Sequence, residues 1–172
     1  MVSIYYPETS FLDYLVTPDG CEQFYSSDIL TMLHSGKVLT VNSRRRNGLI
    51  LFKRYHAEFA GPGAAVGGDY DRDCLGALAI GNLSLLSPET HEERQKAYLI
   101  RRQWIRLIKQ ITEYSAASKR VLKILDQFEQ YFPPEMVSQL PDEAFALLVG
   151  VLPQTVATVR RSANDIEDKF DY

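Results

Sequence analysis

Apolar and polar positions change rhythm along the chain. Between Thr90 and Tyr114 the apolar residues Tyr98, Ile100, Trp104, Ile105, Leu107, Ile108 and Ile111 return at three- and four-residue steps among arginines and lysines. That period predicts one long amphipathic helix. A second helix is predicted from about Ser118 to Tyr131, with Val121, Leu122, Ile124, Leu125 and Phe128 on its inner face and Pro133-Pro134 as its stop. Two short helices follow at close spacing, Asp142 to about Val149 and Pro153 to about Ala163. The C-terminal third reads as an all-α unit.

The N-terminal half has a different pattern. Ser26 or Ser27 caps a short helix carrying Ile29, Leu30, Met32 and Leu33, and Gly36 stops it. Lys37 to Val41 and Leu49 to Phe52 are apolar or β-branched runs around Asn42 to Gly48, and Asn47-Gly48 is a turn dipeptide, so a β-hairpin is the economical reading. Ala60 to Asp73 holds Gly61, Gly63, Gly67, Gly68 and Pro62 with almost no apolar period, as expected of a mobile loop. Cys74 to Leu86 is apolar but interrupted by Gly76 and Gly81, and a short buried helix is preferred there over a strand. The first 25 residues, aromatic and broken by Pro7 and Pro18-Asp19-Gly20, suggest a packed arm with one short helix, and the tail from Asn164 is acidic. The expected class is mainly α within α+β: an N-terminal region 1–89 with the hairpin and glycine-rich loop, a long helix 90–117 that links or dimerises, and a helical unit 118–172.

Length and composition, 172 residues with 45% hydrophobic and 24% charged, fit one globular domain or two small ones. No apolar run approaches the roughly 18–20 residues of a membrane span, and the first ten residues have neither the basic start nor the apolar stretch of a secretory signal. A cytoplasmic protein without a membrane partner is expected. Cys21 and Cys74 stand far apart with no metal-ligand spacing, and both are expected to be reduced.

The informative stretch is Asp142 to Arg161, DEAFALLVGVLPQTVATVRR. Ala146 permits two helices to cross closely, Gly150 can take the positive φ that ends the first of them, and Pro153 suits the first turn of the second. Val156 and Val159 face inward with Phe145, Leu148 and Val149. Gln154, Thr155, Ala157, Thr158, Arg160 and Arg161 then remain outside, a face of short hydrogen-bonding groups followed by arginines, as a helix in a DNA major groove requires.

This stretch resembles the helix-turn-helix of bacterial transcription regulators, most nearly the Crp/Fnr family, through Gly150-Val151, Thr155-Val156 and Arg160-Arg161, with Lys119 to Phe128 similar to the opening helix of that DNA-binding domain. The resemblance covers about a quarter of the chain. It implies a sequence-specific regulator of transcription, bound to double-stranded DNA as a homodimer. Gln154, Thr155 and Thr158 would read bases, and Arg160 and Arg161 would hold phosphates. Leu152 and Pro153 replace the family's usual cap and arginine, so a base preference is not implied. The N-terminal half lacks the cyclic-nucleotide pattern of the family, so no cofactor of that kind is implied either.

Net charge is only −3, but its distribution is local. From Arg94 to Lys123 there are nine basic residues, among them Arg101, Arg102 and Arg106, and one acid, Glu113. A second cluster, Arg44, Arg45, Arg46, Lys53 and Arg54, lies on the expected hairpin, which would act as a wing on the DNA backbone. The same runs also suit plain solvated faces. Trp104, Tyr98 and Ile108 suit either a dimer seam or an internal core.

Enzymatic readings find little support. Gly61-Pro62-Gly63 and Gly67-Gly68 lack the context of a phosphate loop. Asp69, Asp71 and Asp73 begin like a calcium loop, but Cys74 and Ile80 stand where it needs Gly and Glu. His34, His56 and His91 are isolated from one another, so no metal site and no catalytic constellation is expected. The alternative to a regulator is a protein-interaction module, suggested by the overall acidity and the aromatic N-terminal arm.

Overall fold

The computed structural model describes residues 27–167, with side chains from residue 29 to residue 163. The aromatic arm and the end of the acidic tail lie outside the described residues. Helix α1 (Ser27–His34) leads into strands β1 (Val38–Val41), β2 (Gly48–Phe52), β3 (Ala57–Ala60) and β4 (Ala65–Gly67). A 3-10 turn (Gly68–Asp71), β5 (Gly76–Ile80) and β6 (Leu85–Leu86) complete the β region. Helices α2 (His91–Thr112), α3 (Ala117–Tyr131), α4 (Pro134–Ser138), α5 (Asp142–Val149) and α6 (Pro153–Glu167) follow. The class is α+β, with two small antiparallel sheets in the N-terminal half and helices after them.

The sheets have the orders β4-β1-β6 and β3-β2-β5. β1 and β2 therefore do not pair, and the expected hairpin does not form. β1 pairs with β4 and β6, while β2 pairs with β3 and β5. The reason is visible in β2, which is apolar and buried at all five positions and needs cover on both faces. Leu49 and Leu51 join Leu39, Val41, Val66 and α1's Leu33 on one side; Ile50 and Phe52 join the helices on the other. Sheet β3-β2-β5 is thus the middle layer, between the first sheet with α1 and the helical unit.

Two further expectations change. Cys74 to Leu86 forms β5 and β6 rather than a helix, because Gly76-Ala77-Leu78-Ala79-Ile80 alternates small and large: Leu78 and Ile80 enter the helical core, and Ala77 packs towards the first sheet. The glycine-rich stretch forms β4 and the 3-10 turn and is largely buried. Its glycines allow close approach: a Cβ on Gly61 would lie 2.4 Å from the Trp104 ring, so bare backbone is what lets α2 settle on the β3–β4 corner.

The long helix and the three expected after it form close to their expected bounds, while α4, a short helix starting at Pro134, is an addition to them. Thr90 and Glu93 form a reciprocal capping box at the start of α2. Trp104 and Ile108 pack within the chain: Trp104, half-buried, meets Phe59 and Tyr131 edge to face at 5.0 and 4.9 Å, and Ile108 is buried. Tyr98 lies against Tyr70 at 5.6 Å. Phe59 also touches Phe128 and Phe132, tying β3 to α3 in one continuous core. Among the described residues no single helix is long and apolar enough to cross a membrane.

Candidate nucleic-acid interface

α5 ends at Gly150, which adopts φ 66° and ψ 49° and donates its N–H to Ala146 O. Val151 N–H donates to the same carbonyl at 3.1 Å. Arg120 of α3 closes the end, donating from Nη1 to Val149 O at 3.2 Å and to Gly150 O at 3.0 Å. Pro153 then opens α6, whose axis turns 114° from that of α5. Val156 and Val159 are buried against Phe145, Leu148 and Val149, and Ala146 sits buried at the crossing.

On the outside of α6, Gln154, Thr158 and Arg161 are exposed and share a stripe at i, i+4 and i+7, with Thr155 and Ala157 half-buried at its margins. Thr158 Oγ1 donates back to Gln154 O at 2.9 Å. Arg160 is turned away from this face. Its Nη1 donates to Leu140 O and Asp142 Oδ1, both at 2.8 Å, its Nη2 donates to Val137 O at 3.1 Å, and the guanidinium lies 4.8 Å over the Phe145 ring. The expectation that Arg160 holds phosphate is therefore corrected: its donors staple the α4–α5 corner to α6. Burial lowers its pKa, partly offset by the Asp142 charge.

Arg101 is corrected in the same way. It is 2% exposed, and its guanidinium meets buried Asp71 on both oxygens at 3.2 and 3.1 Å, Glu58 Oε2 at 2.6 Å and Ala65 O at 3.0 Å. Asp71 also accepts from Lys53 Nζ at 3.0 Å and from Gly67 N–H at 2.7 Å, and Lys53 reaches Asp73 at 2.6 Å. Burial opposes the charges of Arg101 and Lys53, yet the carboxylates outweigh it and both pKa values rise. Glu58, despite burial, is held below the usual carboxylate range by Arg101, and Asp73 by its bond to Lys53. Each of these groups is engaged by another, so the cluster clamps α2 to the β layers and offers no free base.

Arg102, the next residue, is exposed, and with Arg106 and Lys109 it forms an outward basic stripe on α2 at i, i+4 and i+7. Arg44, Arg45 and Arg46 are exposed on the link from β1 to β2. The exposed arginines of the expected DNA-binding set are thus distributed over three elements, α6, α2 and the β1–β2 link. What linear reading missed is the support beneath that link, where Asn42, Asn47 and Ser84 hydrogen-bond across the fold. Two asparagines flanking a run of arginines were the available signal. No protein-family model matches the chain, and no curated protein matches it.

Proposed function

We propose that the chain binds double-stranded DNA through the outer face of α6 and acts as a sequence-specific transcription regulator, two copies presenting two such helices to adjacent half-sites. The observation that supports this is the α5–α6 unit itself: two helices joined by a glycine turn at 114°, with the second presenting Gln154, Thr158 and Arg161 outward. Thr155 stands at the margin of that face. Short polar side chains suit base edges and Arg161 suits phosphate, with Arg102 and Arg106 as further backbone contacts. A cytoplasmic location goes with this reading, and it includes no catalysis.

The test is binding of the full chain to mixed-sequence duplex DNA across a salt series. Wild type is expected to bind with an affinity that falls steeply with salt, and Arg161→Ala to lower the slope of log affinity against log salt by about 1. Gln154→Ala/Thr158→Ala is expected to flatten differences between sequences. Absence of binding at low salt would overturn the proposal. It would favour the second reading, a protein-interaction module, for which the supporting observation is Tyr55, 80% exposed at the β2–β3 turn with Arg54 stacked 5.2 Å over its ring.

A further inference from the structure

The link between β1 and β2 is short, polar and built from the side chains beneath it. Asn47, fully buried, donates from Nδ2 to Asn42 O at 2.9 Å and to Arg45 O at 3.0 Å, and its Oδ1 accepts from Ser84 N–H at 3.0 Å. Asn42 is fixed in turn: its N–H donates to Ser84 O at 2.9 Å and its Nδ2 to Ser84 Oγ at 3.2 Å, while its Oδ1 accepts from Arg44 N–H at 3.0 Å. On the other side the link presses on Gly81, where a Cβ would stand 2.5 Å from Arg46 O. A buried amide thus spans the link, an adjacent strand connection anchors it, and a glycine makes room for it.

What this frame carries is three consecutive exposed arginines. Among the described residues, ion pairs engage Arg72, Arg101 and Arg160, and none involves Arg44, Arg45 or Arg46. Three like charges held together repel one another, and in a freely moving loop they would spread apart. Here the backbone is fixed before any ligand arrives, so the ordering cost of gathering them is met during folding.

We propose that the Arg44-Arg45-Arg46 link is a preformed, sequence-independent contact for the phosphate backbone of duplex DNA, separate from the α6 face. This rests on the proposal that duplex DNA is the ligand, but not on α6 reading it. Guanidinium forks match phosphate oxygens in pairs, and a row of them on a fixed backbone fits the repeated charges along a duplex backbone better than a single free anion. No base-reading role is assigned, because the Asn42 and Asn47 side chains beside the arginines are engaged within the fold, which leaves Ser43 as the one other short polar side chain of the link.

The experiment measures binding of the full chain to mixed-sequence duplex DNA over a salt series, with phosphatidylserine vesicles as a parallel probe. It compares wild type, R44Q/R45Q/R46Q, R44K/R45K/R46K and Arg161→Ala. The three side chains are exposed, so circular dichroism and melting temperature should match wild type. The glutamine variant is expected to lose about 1 in the salt slope for each arginine that touches a phosphate, equally for all sequences, and the lysine variant to regain most of that loss. An unchanged slope in the glutamine variant would overturn the proposal, as would binding to vesicles without binding to duplex. If the glutamine variant behaves as wild type while Arg161→Ala is weakened, the link fails and the α6 reading stands. If the glutamine variant is weakened and Arg161→Ala is not, the link stands and the α6 reading fails.

Discussion

Asp71 is wholly buried, and its oxygens are met by Arg101 twice, by Lys53 and by the Gly67 N–H. Removing one partner from such a group exposes the full cost of burying the other. Arg101→Ala is therefore expected to destabilise the fold by about 3–5 kcal/mol, and Arg102→Ala, one position along and exposed, by no more than about 0.5 kcal/mol. Thermal or urea unfolding of the two variants checks this, and similar values for both would contradict the clamp. The distinction was legible in principle. Arg101 lies four residues after buried Ala97, three before Trp104 and seven before Ile108, which is the inner face of the helix. Treating the basic residues of that stretch as one charged run hid the period that separates them. Arg160 repeats the point, four residues after buried Val156.

At the scale of elements, the long helices were readable because their signals are local: a period of three and four, a double proline, a glycine stop. The strands were not, because pairing depends on partners far along the chain, and β3, β4 and β6 are four, three and two residues long. The glycine-rich stretch resembled a loop because bare backbone serves equally for motion and for close packing; the close approaches of Trp104 to Gly61, Ile100 to Gly63 and the Lys37 carbonyl to Gly67 distinguish the two. The α5–α6 turn was legible through Gly150, whose left-handed conformation costs an L side chain about 1–2 kcal/mol. Gly150→Ala is expected to lower stability by roughly that amount and, if α6 reads DNA, to weaken binding by altering the angle between the helices. Denaturant midpoints checked beside duplex affinity would show both. An unchanged midpoint would mean that the turn relaxes into another shape.

The whole molecule joins its layers by apolar contact through Phe59 and by charge through the Asp71 cluster, so the β layers and the helical unit should unfold together. Glu58 and Asp73 have pKa values below their ordinary range, so the native state binds fewer protons there than the unfolded chain. Their stabilisation is present above the unfolded values of about 4 and is lost as pH falls through the lowered native ones. Burial raises the Cys74 pKa, so stability declines again as pH climbs past the ordinary thiol value of about 8.5. A melting temperature that is flat between about pH 5 and 8, falls on either side, and is the same by tryptophan fluorescence and by circular dichroism is expected. Two separated transitions would contradict the shared core. That sharing has a consequence for how β2 finds its place. A half-buried strand that slips by one residue turns its apolar set to water, and the error announces itself. Gly48–Phe52 has no such alarm, since Leu49 and Leu51 would suit one core nearly as well as Ile50 and Phe52 suit the other. Bulk supplies what hydrophobicity cannot: a slip that moved Leu49 into the position of Gly48 would drive its Cβ to 2.6 Å from the Phe59 ring, so one missing side chain serves as the registration mark for the middle layer.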